Sequence, residues 1–522
     1  MKNKILTIMG AWLLMLGFSS CHEQSDTLMT YDHTDELVFG DATRSYAAQF
    51  KVLWNAMNQN YALWDYEKEN GLDWDAVYNE YLPQFEELDK KEEVTDKELK
   101  ELLTKVLSPL HDGHMLVEIK NPKTGNNVYI APSEIRNKQR DDYKVADLRP
   151  NLKYYINKKN GEIEIDKEGD PIYMEYSTRV DVLLDKVKNT PGQGLRWVND
   201  SINVLASLPL PTLQQVKMLQ LLIALETALQ NIDASEQGLQ EYNALVNQYA
   251  SLDIPGLTPI SPKFIDNGMS ARFALLKDNI AYLYISSFSL SPYINDEYRN
   301  YIFAGVDNYA AAHIMMIKKV WECWYETIQL LHSIGLLKGV IIDVRGNGGG
   351  MMSDFYYVMG ALLPSGGFQC TQMRFKRGTG RLDYSPLIPH VYNTIETEHA
   401  VVTEPIVVLA NCRSVSMSEA TALSTKYIDN ACLIGKRTWG GLCSLSDNPS
   451  FSYNYSGHIG VEDQTPVYVY LPTVACFNRE GEQLEGIGIT PDIEVNLDEK
   501  LFKSNGKDTQ LDRALQYIRT GK

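Results

Sequence analysis

Ser416 stands where an apolar stretch, Pro405 to Ala410, passes through Asn411, Cys412, Arg413, Ser414 and Val415 into a segment of helical composition beginning at Met417. A serine held on a strand-to-helix turn exposes its hydroxyl. The N–H of the next residue, here Met417, then points at the oxyanion formed when that hydroxyl attacks a carbonyl. A second donor is available far away in the chain. Residues Gly339 to Val344 read as a buried strand that breaks into Gly346, Asn347, Gly348, Gly349 and Gly350, and glycine backbone approaches a developing negative charge with no Cβ in the way. Gly348 or Gly349 is therefore the candidate partner of Met417, and each such donor contributes about 3 kcal/mol of transition-state stabilisation. The chemistry that fits these residue types is acyl transfer.

Each feature has a plainer explanation. Ser416 followed by Glu419 is also a capping box for a helix over 417–428, which would spend the hydroxyl on a main-chain N–H. Glycines after a buried strand make a tight turn without any chemistry. A nucleophilic serine also needs a base. His114 lies in a turn with His111, Asp112 and Gly113, after a helix that ends at Ser108 and Pro109. Lys426 is on the Ser416 helix but about 15 Å along its axis, out of hydrogen-bond reach. Lys436 lies beyond the next strand and can fold back, which makes it the alternative base.

The elements that position these residues follow from periodicity. Apolar runs at Ile280 to Ile285, Gly339 to Val344, Pro405 to Ala410, Ala431 to Ile434 and Val467 to Leu471 predict strands. Helical stretches fall near 306–336, 352–362 and 417–428. Their alternation predicts an α/β core over 276–500 with functional groups at strand ends, followed by a C-terminal helix over 501–522. Residues 44–118 form a helical N-terminal domain. There Thr95 and Glu98 make a capping box, and Leu99, Leu102, Leu103, Val106 and Leu107 recur at helical spacing. Residues 119–275 read as a mixed, variable region, with a hairpin from Tyr154 to Tyr176 and two amphipathic helices from Thr212 to Gln248.

The N-terminus carries an address. Lys2 and Lys4 precede an apolar run from Ile5 to Phe18, then Ser19, Ser20 and Cys21, the layout of a secretory signal over 1–20 with small residues at the cleavage point. The run is shorter than the roughly 20 residues that span a bilayer. Cys21 at the junction resembles the lipid-attachment cysteine of bacterial lipoproteins, which makes 21–43 a lipidated tether and places the protein at the bacterial cell envelope, bound to the membrane through that lipid. The net charge of −18 argues against nucleic acid as a partner. Cys323, Cys370, Cys412, Cys432, Cys443 and Cys476 show no zinc-ligand spacing and read as buried thiols.

Taken jointly, the segments 280–288, 343–350, 414–419 and 484–495 resemble the C-terminal processing (tail-specific) serine peptidases, and among them the tricorn protease branch. The resemblance implies a ClpP/crotonase-like α/β peptidase core, a polypeptide substrate, and neither cofactor nor metal. It implies Ser416 as nucleophile, His114 as base and Glu485 as the glutamate that orients the site. In the processing branch a general-base lysine falls at the position of Gly441, which this chain lacks. Tricorn members carry a serine where this chain has Gly113. Processing peptidases usually carry a PDZ domain, and 119–275 shows no carboxylate-binding loop of that kind. The two departures at Gly113 and Gly441 support a different class of function, a non-catalytic peptide-binding envelope lipoprotein on the same fold.

Replacement of Cys21 by Ala is expected to leave unprocessed precursor and abolish metabolic fatty-acid labelling; persistent labelling of that variant would exclude lipid attachment at Cys21.

Overall fold

The computed structural model describes residues 39–146, 271–294, 308–444 and 458–522 apart from a few single positions. The signal segment, most of the tether, the expected hairpin between Tyr154 and Tyr176 and the expected helices between Thr212 and Gln248 lie outside the described residues. In chain order the strands are β1 (Leu116–Lys120), β2 (Asn127–Ile130), β3 (Ala271–Leu276), β4 (Ile280–Ile285), β5 (Gly339–Asp343) and β6 (Phe368–Phe375). They continue with β7 (Ile388–Tyr392), β8 (Ile406–Ala410), β9 (Ala431–Gly435), β10 (His458–Ile459), β11 (Val467–Tyr470), β12 (Val474–Asn478) and β13 (Ile493–Glu494). Among the described residues these strands form three sheets, ordered β10-β11-β1-β2, β12-β6-β7 and β13-β9-β8-β5-β4-β3. The protein is mixed α/β with a helical N-terminal region.

The chain divides into two compact units. The first comprises Met1–Tyr143, Gln369–Val391 and Trp439–Ile489; the second comprises Lys144–Phe368, Tyr392–Thr438 and Thr490–Lys522. The expected core over 276–500 is thus shared between units. Val467 to Leu471 does form a strand, but β11 pairs antiparallel with β1, Leu116 opposite Tyr470 and Ile119 opposite Val467. Long-range strand pairing of this kind leaves no local signature. It also moves the end of the helical region, since 116–118 already belongs to β1.

In the first unit, helices Tyr46–Asn60, Trp64–Glu69, Trp74–Asp89 and Asp96–Leu107 supply the apolar layer. Thr95 caps the last of these, its Oγ1 accepting from Glu98 N at 3.2 Å, and Leu99, Leu102, Leu103, Val106 and Leu107 are all buried as their spacing predicts. They pack in one cluster with Val467 and Val469 of β11.

In the second unit, every residue of β4, β5 and β8 is buried, as expected for parallel strands covered on both faces. Strands β4, β5, β8, β9 and β13 run parallel, and β3 returns antiparallel to β4. Helix Thr509–Thr520 lays Leu511, Ala514, Leu515 and Ile518 on a cluster with Ile341, Val407 and Leu409, one stripe at i, i+3, i+4 and i+7. Helix Asn308–Ser333 lies within its expected range, and the Ser416 helix runs from Met417 to Ser424 before tightening into a 3-10 turn, Thr425–Tyr427. The helix expected over 352–362 is absent. Only a 3-10 turn, Met352–Phe355, forms before irregular turns. Gly360 weakens a helix there, and a Cβ at that position would lie 2.8 Å from Asn393 O, so close approach of another segment sets the path. No helix among the described residues is long and apolar enough to cross a membrane.

A buried ionic clamp fixes the end of β5. Arg345 donates through Nε to Asp343 Oδ1 at 2.9 Å and through Nη2 to Asp343 Oδ2 at 2.6 Å. Its Nη1 donates to Asp508 Oδ1 at 2.9 Å and Gln510 Oε1 at 3.0 Å. Asp508 also accepts from the N–H groups of Gln510 and Leu511, capping the C-terminal helix. Arg345→Leu leaves two buried carboxylates without their cation and is expected to cost about 3–5 kcal/mol, read as a lowered midpoint in urea or thermal unfolding.

Candidate active site

Ser416 follows β8 and opens the helix Met417–Ser424 with φ 57° and ψ −118°. Among the described residues the other non-glycine positive-φ positions are Asp278, Asn279 and Asp463, residue types that tolerate that region. A serine there is strained, and strain of about 1–3 kcal/mol persists where surrounding structure imposes it. The cap hydrogen bond expected from the sequence does not form. Glu419 instead accepts from Thr438 Oγ1 in the buried interior. The half-buried Ser416 hydroxyl is consequently not spent on the helix.

The glycine loop after β5 abuts this turn. A Cβ on Gly349 would lie 2.5 Å from Ser416 Cβ and 3.1 Å from Met417 N. One on Gly350 would lie 2.0 Å from Phe288 O, because residues 349–351 run beside Phe288, with Phe288 N donating to Gly349 O at 2.9 Å and Met351 N to Phe288 O at 2.7 Å. Asn347, buried and not singled out from sequence, holds the arrangement. Its Nδ2 donates to Ile285 O at 2.9 Å, and its Oδ1 accepts from Gly349 N at 2.8 Å. Its carbonyl accepts from Val415 N at 3.0 Å and Ser418 Oγ at 2.9 Å. Of the two candidate donors, Gly349 N–H is therefore occupied. The N–H groups of Gly348 and Met417 donate to no acceptor among the described residues, and the space beside Gly348 is open.

His114, Asp112 and Glu485 belong to the first unit. Asp112 Oδ1 accepts from His114 N and Met115 N, both at 2.7 Å, which folds the turn. Asp112 Oδ2 and His114 Nδ1 are buried without a partner among the described residues. Glu485, fully buried, accepts from Gly113 N at 2.7 Å through Oε1 and from Leu442 N and Cys443 N at 2.8 and 2.9 Å through Oε2. Burial pushes the His114 imidazole down to about 4 and raises the Asp112 carboxyl, opposed by its two main-chain N–H donors. Both shifts have one cause, the cost of charge in a low-dielectric surrounding. A nitrogen of His114 and an oxygen from each carboxylate lie within 4.8 Å of one another, and this is the group among the described residues able to hold a metal ion.

A second pair missed by sequence reasoning braces the same turn. His111 donates its N–H to Glu67 Oε1 at 2.7 Å and sets Nδ1 2.7 Å from Glu67 Oε2. The Tyr61 hydroxyl donates to Glu67 Oε1 at 2.6 Å. Spacing in the sequence carries no hint of Glu67, which comes from a different helix. Lys436, the alternative base, is paired with Glu494 of β13, and Lys426 with Asp492. Cys370, Cys412, Cys432, Cys443 and Cys476 are buried and form no disulfide among the described residues.

Gly113 and Gly441, the two departures noted above, meet. A Cβ on Gly113 would lie 2.2 Å from Gly441 Cα and 2.4 Å from Gly440 O. The Trp439 indole N–H donates to Gly113 O at 3.0 Å alongside this contact. Main chain packs on main chain here, and a side chain at 113 has no room.

Residues 279–495 match the model of peptidase family S41. Over 181 residues the chain is 27% identical to tricorn protease of Thermoplasma volcanium, a match covering 34% of this chain and 14% of that one. It is 30% identical over 159 residues to carboxy-terminal-processing protease of Bartonella bacilliformis, covering 30% and 31% respectively. The matches thus span less than a third of the length of either relative. Among solved structures, mature CPAF aligns over 92% of this chain and 99% of its own, at 12% identity and a TM-score of 0.46. The chain carries a peptidase S41 domain.

Gly113→Ser is expected to lower stability by about 1–3 kcal/mol or more, the range for overpacking, and to lower the melting temperature accordingly. An unchanged melting temperature would show that the 440–441 backbone yields.

Proposed function

On the premise of that S41 domain, we propose that the protein is a serine endopeptidase acting on polypeptides through an acyl-enzyme on Ser416. The observation that carries this reading is the strained Ser416 turn. Its hydroxyl is not used as a cap, and it lies in a loop where the main-chain N–H groups of Met417 and Gly348 meet no acceptor among the described residues. In the reaction Ser416 Oγ attacks the scissile carbonyl carbon while His114 accepts the hydroxyl proton. The carbonyl oxygen takes the negative charge and is held by the N–H groups of Met417 and Gly348. Collapse breaks the C–N bond, with His114 returning its proton to the amine, and a water molecule then releases the acyl group by the same path. Asn347 occupies Gly349 N–H, so Gly348 serves as the second donor. Glu485 acts through the main chain, fixing Gly113 and hence the turn that carries His114.

No cofactor is needed for these steps. Lipid attachment at Cys21 and residence at the bacterial cell envelope complete the proposal. A non-catalytic peptide-binding lipoprotein drew its support from Gly113 and Gly441. The backbone contact gives Gly113 a packing reason to lack a side chain, which weakens that support. The pairing of Lys436 with Glu494 leaves a lysine base little to recommend it.

A fluorophosphonate probe is expected to modify Ser416, and Ser416→Ala to lose peptidase activity while folding normally. His114→Ala should reduce kcat at least about a hundredfold, the low end for loss of a general base, with Lys436→Ala milder. An exposed histidine base would make kcat/KM rise with pH through about 6.5. Because burial favours the neutral, proton-accepting imidazole, the rise is expected at lower pH, toward about 4, with a flat profile through neutrality. Near-wild-type turnover by His114→Ala, with loss in Lys436→Ala, would overturn the assignment of the base.

A further inference from the structure

Asp112 and His114 present an unusual combination of supported and unsupported atoms. One Asp112 oxygen is tied to two main-chain N–H groups, and both oxygens of Glu485 are tied to three more. Asp112 Oδ2 and His114 Nδ1 have no partner among the described residues although both atoms are buried. An unpaired buried polar atom is costly, and here two of them belong to a cluster whose donor atoms converge within 4.8 Å. Ligating carboxylates and imidazoles are held in this way at metal centres, with outer hydrogen bonds fixing the ligand and one face left for the ion.

We propose that Asp112, His114 and Glu485 form a binding site for a divalent transition-metal ion of the zinc class, which ties up the His114 imidazole and so silences the peptidase site. The silencing half rests on the proposed role of His114 as base; the binding half does not. Two carboxylates and one imidazole suit zinc, cobalt and manganese. Two carboxylates also balance a doubly charged ion, relieving the cost of burying them. Bonds of about 2 Å from metal to oxygen or nitrogen permit donor separations up to about 4 Å, so seating an ion requires the donors, now within 4.8 Å of one another, to draw together by roughly 1 Å. A bound ion removes the lone pair that the proton of Ser416 would need.

The test uses the full chain carrying Ser416→Ala, so that binding is read independently of turnover. Titration with Co2+ after chelator treatment is expected to give a visible d–d absorption that saturates at one ion per chain and is displaced by Zn2+. Asp112→Asn keeps the acceptor for His114 N and Met115 N and removes the charge. It and His114→Ala should each weaken Co2+ binding at least about tenfold, the smallest effect seen for loss of even an outer partner. In the chain with Ser416 intact, Zn2+ should slow fluorophosphonate labelling and a chelator should restore it. A missing absorption band, or equal affinity in both variants, refutes the site. Zn2+ bound there without slowing the labelling refutes the silencing. Failure of the probe to label Ser416 in the metal-free chain counts against the proposed peptidase instead, and the Co2+ titration still decides the site.

Discussion

The main chain of Asn347 joins the glycine loop after β5 to the turn that carries Ser416. Its carbonyl oxygen accepts from Val415 N and Ser418 Oγ, one residue before and two after Ser416. Its side chain reaches Ile285 O at the end of β4. The glycine loop after β5 and the turn after β8 are consequently one rigid object, anchored to the ends of adjacent parallel strands. Strain at Ser416 is sustainable because this object cannot relax without breaking buried hydrogen bonds. Arg345 extends the same constraint outward, since it ties the residue before the loop to the cap of the C-terminal helix.

The first unit solves a similar problem with carboxylates. Asp112 folds the turn, Glu67 braces it through His111, and Glu485 ties it to the segment that follows Trp439. Buried acids are expensive unless their oxygens are used. Here nearly all are, and they are used on main-chain N–H groups, which fixes backbone rather than side chains. Glu485 thus contributes through the placement of Gly113. The imidazole of His114 is neutral in this setting because burial penalises its charged form.

Much of this was legible in the sequence, and the pattern of what was not is physical. Strands β4, β5, β8 and β9 declared themselves because apolar residues dominate them, and the Thr95 cap because its partner is three residues away. Ser416 and Glu419 resembled a capping box, yet the tertiary partner Thr438 claimed the glutamate. The helix expected over 352–362 failed where Gly360 meets Asn393. Val467 to Leu471 was recognised as a strand but not as a partner of β1, since register between segments some 350 residues apart is set by the fold. Asn347, Glu67 and Asp508 escaped notice for the same reason: their roles consist of bonds to residues remote in sequence. The choice of Gly348 over Gly349 required knowing where the Asn347 side chain points.

The close approach of the 440–441 backbone to Gly113 removes one position from independent variation. A side chain gained at 113 must be accompanied by a shift of the segment bearing Gly440 and Gly441, so what this position can become is decided by main chain more than 300 residues away in sequence.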